Sequence, residues 1–247
     1  MKRHIECFSV VMVLLVLFGT QAACQQDGSF APSRVYIDPD DSTHIEGNIS
    51  IAVIWGKMIK PPFRDAKSAL INLSNAVAEY TDIVTTAHNH LAISSPGLAS
   101  VAFAVIISEE EFDLTLTERD NLKQYLDNGG FLLVDNALRT ARESPVEKSF
   151  YRMLTSMYKK SVVYKTIPND HPLYHSYFDF EDGPPVIRNG TMINTGPLEG
   201  AWVGDRLVAI YSNMGMMIAW NETSKNILQL KMGVNMLIFA LTQKKTE

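Results

Sequence analysis

Several short apolar runs in this chain have no polar face, and this restricts its fold more than any other feature. ISIAVIWG, VAFAVIIS and FLLVDN lack the alternation of a strand with one wet side, so each must be buried on both sides. The segments between them carry helical spacing. In DAKSALINLSNAVAEY, Ala66, Leu70, Leu73 and Val77 fall on one stripe, and LTERDNLKQYLDNGG is a second amphipathic stretch that stops at Gly129-Gly130. Strands of this kind alternating with amphipathic helices predict an α/β fold, a three-layer sandwich around a mostly parallel sheet.

The remaining elements extend that pattern. IVTTAHNHLAI reads as extended, a helix is expected from Pro145 to Met157, SVVYKTI and DRLVAIYS as strands, and NILQLKMGVNMLIFALTQ as a terminal helix, which makes the sheet mixed. Thr117 is the expected N-cap of the second helix, with Asp120 at the capping-box position. Gly233 would weaken the last helix by about 1 kcal/mol relative to alanine, so it is read as a point of close contact between helix and sheet. DPDDSTHIEGN reads as a solvated turn, since no glycine and closing glutamate stand at the spacing of a calcium loop.

The first residues point to export. Lys2 and Arg3 precede the apolar run CFSVVMVLLVLFGT, which is too short to span a bilayer comfortably, and TQAAC supplies small residues for cleavage. Residues 1–23 are therefore expected to be a signal peptide, 24–33 a polar tether, and 34–243 one α/β domain. Of two cysteines, Cys7 lies in the leader and Cys24 sits where a bacterial lipoprotein would be cut and lipidated. Gln21, where such leaders carry an aliphatic residue, leaves plain cleavage open as well. The expected place is the periplasm or envelope, with contact to membrane only through a lipid on Cys24. A net charge of -5 and no basic, aromatic stripe exclude nucleic acid as the expected partner.

Four motifs in order, LTERDNLKQYLDNGGFLLVDN, PNDHPLYHSYFDFEDGPPVI, GDRLVAIYSNMG and KMGVNMLIFALT, resemble the bacterial domain of unknown function 4159 over roughly residues 34 to 243. That family is similar in fold to class I glutamine amidotransferases and ThuA-like proteins, which implies a flavodoxin-like sandwich. Some of its members resemble parts of membrane-linked aerotolerance proteins, and the family name implies no activity. Where the family usually has paired aspartates this chain has Asp135-Asn136, which removes the second acid of that pattern.

Candidate site residues follow from position. Ligands of open α/β sheets sit outside the carboxyl ends of the strands, and Asp135 ends FLLVD, with Asn136 beside it. Asp135 is read either as a ligand or proton-accepting group or as a cap of the following loop through its backbone N–H groups. In DHPLYHSYFDFEDGPPVI, Pro172 keeps His171 out of helical geometry, so His171 and His175 are not a zinc-type pair within one helix; a turn capped by Asp170 or His171 accounts for them better. Asp179, Glu181 and Asp182 read as solvated charges. His88 and His90 would share a face of a strand, and an exposed edge is the plainer reading. Asn48, Asn72, Asn189 and Asn221 form N-x-S/T triplets, meaningful for glycosylation only in a eukaryotic secretory host.

No G-x-C-x-G or G-x-S-x-G elbow, P-loop, G-x-G-x-x-G or H-E-x-x-H is present, so glutaminase, phosphate, dinucleotide and zinc-protease chemistry lack their parts. The sequence predicts an exported, non-catalytic binding or scaffold domain holding a small ligand or an envelope protein, with no cofactor and no metal. The alternative is a hydrolase or lyase using Asp135 with His171 or His175 as an acid/base or metal site. On the binding reading, Asp135→Ala and His171→Ala proteins are expected to fold normally.

Overall fold

The structure is a computed structural model that describes residues 33–41, 44–59, 66–137, 144–189, 192–194, 196–222 and 226–243. The expected leader, Cys24 and the expected tether up to residue 32 lie outside the described residues.

Strands β1 (Arg34–Ile37), β2 (Ile45–Trp55), β3 (Asp82–Ala92), β4 (Val101–Ser108), β5 (Phe131–Asn136), β6 (Val162–Thr166), β9 (Glu199–Val203) and β10 (Arg206–Ser212) form one eight-stranded sheet, and β7 (Ile187–Asn189) pairs with β8 (Met192–Asn194) as a separate ribbon. Across the large sheet the order is β3-β2-β4-β5-β10-β9-β6. The first five run parallel; β9 runs against β10, and β6 against β9. β3 covers one edge of β2 from Glu46 to Trp55, so β1 and β4 share the other, β1 against Ile45–Asn48 and β4 from Ser50 onward. The Ser33 hydroxyl joins these end-to-end neighbours: it accepts from the Ser50 N–H at 3.2 Å and donates to the Ser100 carbonyl at 2.9 Å.

Among the described residues five helices cover the sheet: α1 (Ala66–Tyr80), α2 (Leu116–Asp127), α3 (Pro145–Tyr158), α4 (Met216–Asn221) and α5 (Ile227–Thr242). Alternate residues of the parallel strands feed two separate cores. Ile51, Val53, Phe103, Val105, Phe131 and Leu133 pack with α1, α4 and α5. Ala52, Ile54, Ala104, Ile106, Leu132 and Val134 pack with α2 and α3. The unbroken apolar runs of the sequence are thus strands wetted on neither side. Among the described residues no helix is long and apolar enough to cross a membrane.

Four sequence expectations need correction. DPDDSTHIEGN is not all turn, because β2 begins at Ile45, where alternate exposed positions hid a strand that β1 and β3 both pair with. Gly233 touches helices instead of the sheet: a Cβ there would stand 2.7 Å from Leu73 of α1 and 3.0 Å from the fully buried Trp220 of α4. His88 and His90 do not share a face. His88 pairs with Ala52, a register shift follows, and His90 lies edge-on to Trp55, which follows Ile51 and Val53 toward the other core.

The fourth concerns the start of α2, where the N-cap is Thr115 and the capping-box acid is Glu118. T-L-T-E matches the S/T-x-x-E pattern better than T-E-R-D, and only Glu118 can also reach the end of β2. One Glu118 oxygen accepts from the Lys57 N–H at 2.6 Å, and the other from the Thr115 N–H and hydroxyl, both at 2.8 Å. Burial alone would raise its pKa, but these hydrogen bonds prevail and hold it below the usual carboxylate range. Replacing this carboxylate by an amide turns one acceptor into a donor facing other donors. We expect Glu118→Gln to lower stability to urea by about 1–3 kcal/mol. A depressed pKa gives stability that is present above the unfolded value of 4.5 and lost as pH falls, so the variant should also show a shallower loss in acid.

Candidate functional site

The carboxyl ends of β4, β5 and β10 lie side by side, with Ser108 paired to Asn136 and Asp135 paired to Ser212. All four are buried. Around them the chain turns sharply, so backbone groups need partners that regular structure does not supply. Ser108 Oγ accepts from the Glu110 N–H and donates to its carbonyl, and Ser212 Oγ accepts from the Met214 N–H.

Asp135 serves the largest such need. Helix α4 begins after Gly215, which sits in the left-handed region at φ 69° and has no side chain to cap with. The Asp135 carboxylate takes its place: Oδ1 accepts from the Met216 N–H at 3.0 Å and Oδ2 from the Met217 N–H at 2.9 Å. A negative group at a helix start is stabilised by both these bonds and the helix dipole. The capping reading placed Asp135 on the loop that follows it; the amides it holds belong instead to α4, in space next to β5 and far along the chain.

Asn136 faces a second polar cluster. The Tyr211 hydroxyl hydrogen-bonds with the side chains of Ser144, at 2.8 Å, and Asn136, while burial raises the Tyr211 pKa. Ser144 in turn caps α3 by accepting from the Glu147 N–H. Neither Ser144 nor Tyr211 was singled out in the sequence. Ser144 carried a readable signal, an S-P-V-E capping pattern at a predicted helix start. Tyr211 carried none, being one more large residue in an apolar run.

The histidines lie elsewhere. His171 caps a short 3₁₀ turn, Pro172–Tyr174, through Nδ1, which accepts from the Leu173 N–H at 3.1 Å. Its ring is 5.3 Å from Phe239 and 6.1 Å from Trp202 between centroids. Phe239 packs on Phe131, the first residue of β5, and Trp202 pairs with Leu207 near the start of β10. At about 3.3 Å per residue, Asp135 lies roughly 13 Å farther along the strand from Phe131. His171 thus belongs to the amino end of the sheet and Asp135 to the carboxyl end, so the structure does not bring them together. His175 turns away to Asn169, whose carbonyl is 2.9 Å from Nε2, and to Asp179, 3.2 Å from Nδ1. Acceptors at both nitrogens favour the imidazolium, and its pKa is raised first by the Asn169 carbonyl and then by Asp179. Among the described residues no three His, Cys, Asp or Glu side chains gather as a metal site.

The segment that carries both histidines is clamped to α5. Buried Asn235 accepts from the Phe178 N–H at 2.8 Å and donates to the Phe178 carbonyl at 2.7 Å. The Lys231 ammonium lies over the Phe178 and Tyr80 rings.

A family model described as domain of unknown function, DUF4159, matches residues 58–241, most of the chain. The chain belongs to the DUF4159 family. The match begins after β2, so β1 and the strand it pairs with precede it. A comparison with curated proteins finds no match. Among solved structures, the chain is similar to a ThuA-like protein from Bacteroides uniformis ATCC 8492, at 10% identity and a TM-score of 0.39, covering 77% of this chain and 91% of that one.

For this DUF4159 domain the placement of Asp135 changes one expectation. A fully buried carboxylate holding two helix amides is part of the fold, so Asp135→Ala should not leave folding untouched. Asp135→Asn keeps the shape but turns one acceptor into a donor facing an N–H, and we expect it to cost about 1–3 kcal/mol in urea unfolding, with Asp135→Ala costing at least as much. His171 gives a pH signature. Burial lowers its pKa against a smaller opposing effect of Asp170, so its contribution is present above the unfolded value of 6.5 and lost as pH falls. His171→Asn can still cap the turn but does not titrate, and its stability should fall less steeply below about pH 6.5 than that of the parent.

Proposed function

We propose that this chain is an exported, non-catalytic binding or scaffold domain of the bacterial envelope, built as a three-layer flavodoxin-like sandwich. The order of the five parallel strands supports the fold reading: numbered along the chain they lie 2-1-3-4-5, the flavodoxin order, with helices packed on both faces. The leader and Cys24 support the compartment reading, as a signal peptide followed by a candidate lipid anchor.

One observation supports the non-catalytic reading: Asp135, the carboxylate at the strand ends, is engaged by the amides of α4. Acid/base work with a histidine needs the two groups within about 3 Å or one water of each other. His171 caps a turn at the opposite end of β5 and His175 faces Asn169 and Asp179, which speaks against the hydrolase or lyase alternative. A ligand or a segment of an envelope protein, recognised by shape and hydrogen bonds, fits the remaining chemistry.

Native mass spectrometry with metal analysis on protein purified from the exporting compartment of its host tests this reading. We expect a chain processed at or beside Cys24, without stoichiometric metal, carrying a small molecule or a co-purified envelope protein. A stoichiometric transition metal that is lost in His171→Ala and His175→Ala proteins would overturn it in favour of an enzyme. Retention of the unprocessed leader on soluble protein would overturn the export reading alone.

A further inference from the structure

The sheet has two edges of very different character. At one end stands β6, five residues long, with Lys165 in the strand and Lys159 and Lys160 just before it. Short length and lysines are how natural sheets blunt an edge against pairing with another chain. At the other end stands β3, eleven residues long, which pairs only with β2 among the described residues. Its sequence, DIVTTAHNHLA, contains no Lys, Arg, Pro or Gly. A long, extended row of outward N–H and C=O groups without lysine or proline is a template for strand addition.

We propose that this edge of β3 pairs with β3 of a second copy of the chain, antiparallel and across a two-fold axis at Thr85. The two ends of the strand differ in chemistry, which favours one direction. Its one carboxylate, Asp82, is the first residue, and its imidazoles, His88 and His90, lie toward the other end. His88 enters as a neutral imidazole, since burial lowers its pKa, and Asp82 already lies 3.6 Å from His44. Antiparallel pairing about Thr85 sets Asp82 of each copy opposite His88 of the other, on the same sheet face, whereas parallel pairing would set like ends together. The same register places Ile83 opposite Ala87, Val84 opposite Thr86 and the two Thr85 residues opposite each other, and β-branched pairs of this kind stabilise a sheet. It also uses only the stretch before the register shift that follows the pairing of His88 with Ala52.

Exposure at this corner fits the same partner. Val84 is 63% exposed, and Tyr36 of β1, on the same face of the sheet, is 55% exposed. Between them Arg34, Glu46, Asn48 and Asp82 line a shallow depression. A two-fold axis beside Val84 would bring two such half-apolar corners together, as isologous contacts require. The inference does not depend on compartment or ligand.

The test is the mass of the purified chain by sedimentation and light scattering, with hydrogen exchange over residues 83–87. We expect a dimer whose amides in this stretch become protected as concentration rises. Val84→Lys, at an exposed position, should keep the fold by circular dichroism and halve the mass, because two lysines then meet near the axis. Val163→Lys on the opposite edge should leave the dimer intact. A monomeric parent protein, a dimer that survives Val84→Lys, or a dimer lost in Val163→Lys would each overturn the proposal. Should Val84→Lys fail to fold, the concentration dependence of exchange at residues 83–87 in the parent decides alone: no added protection refutes the pairing.

Discussion

Burial of β4 and β5 on both faces leaves polar side chains no place along their length. Every residue of β5 is buried, and of β4 only Ala102 is even partly exposed. Polar groups therefore collect where the strands end, and there they meet the unpaired amides and carbonyls of turns and helix starts. An unsatisfied buried group costs about 1–3 kcal/mol, so each such terminus needs a named partner. Glu118, Asp135, Ser108, Ser144 and Ser212 are those partners. Polar residues at strand ends, which in many α/β proteins hold ligands, are here largely consumed in making the sheet's ends stable.

The opposite end of the parallel strands is closed by similar means. The buried Arg206 guanidinium donates to the carbonyls of Leu126 and Gly130, where α2 stops, and the Tyr125 hydroxyl bonds the backbone of Phe131. Gly129 turns the chain at φ 103°, and a side chain on Gly130 would collide with the Tyr125 ring. A cation at the carbonyl end of α2 and an anion at the amide end of α4 complement the helix dipoles in opposite senses. Both sit where water cannot screen them.

Most of the sheet was legible because burial on two faces writes an unbroken apolar run. What was missed lacked that mark. β1 and β9 are short, and the exposed positions in the first half of β2 look like a turn. The site was legible as position but not as role. Asp135 could be placed at a strand end from FLLVD, but its partners, Met216 and Met217, lie some eighty residues later, and no local pattern announces them. Asp170 or His171 was read as the cap of a turn from the proline, and His171 is the one. Its distance from Asp135 depends on which end of the sheet receives the segment, a matter of strand order that spacing does not encode. Thr115 was missed in favour of Thr117 because the acid three residues on was weighed as a local cap, when it also has to reach β2.

The Asp135 bond to α4 also orders events in time. Its two partners are 81 and 82 residues away along the chain, and the helix they open has six residues, too few to persist alone in water. Closing so long a loop is slow compared with forming a local turn or helix. α4 must therefore wait until β10 has docked on β5 and delivered Gly215 to the carboxylate. Until then Asp135 stays hydrated and the α4 segment open, so Trp220, fully buried in the finished protein, should be a late reporter of folding.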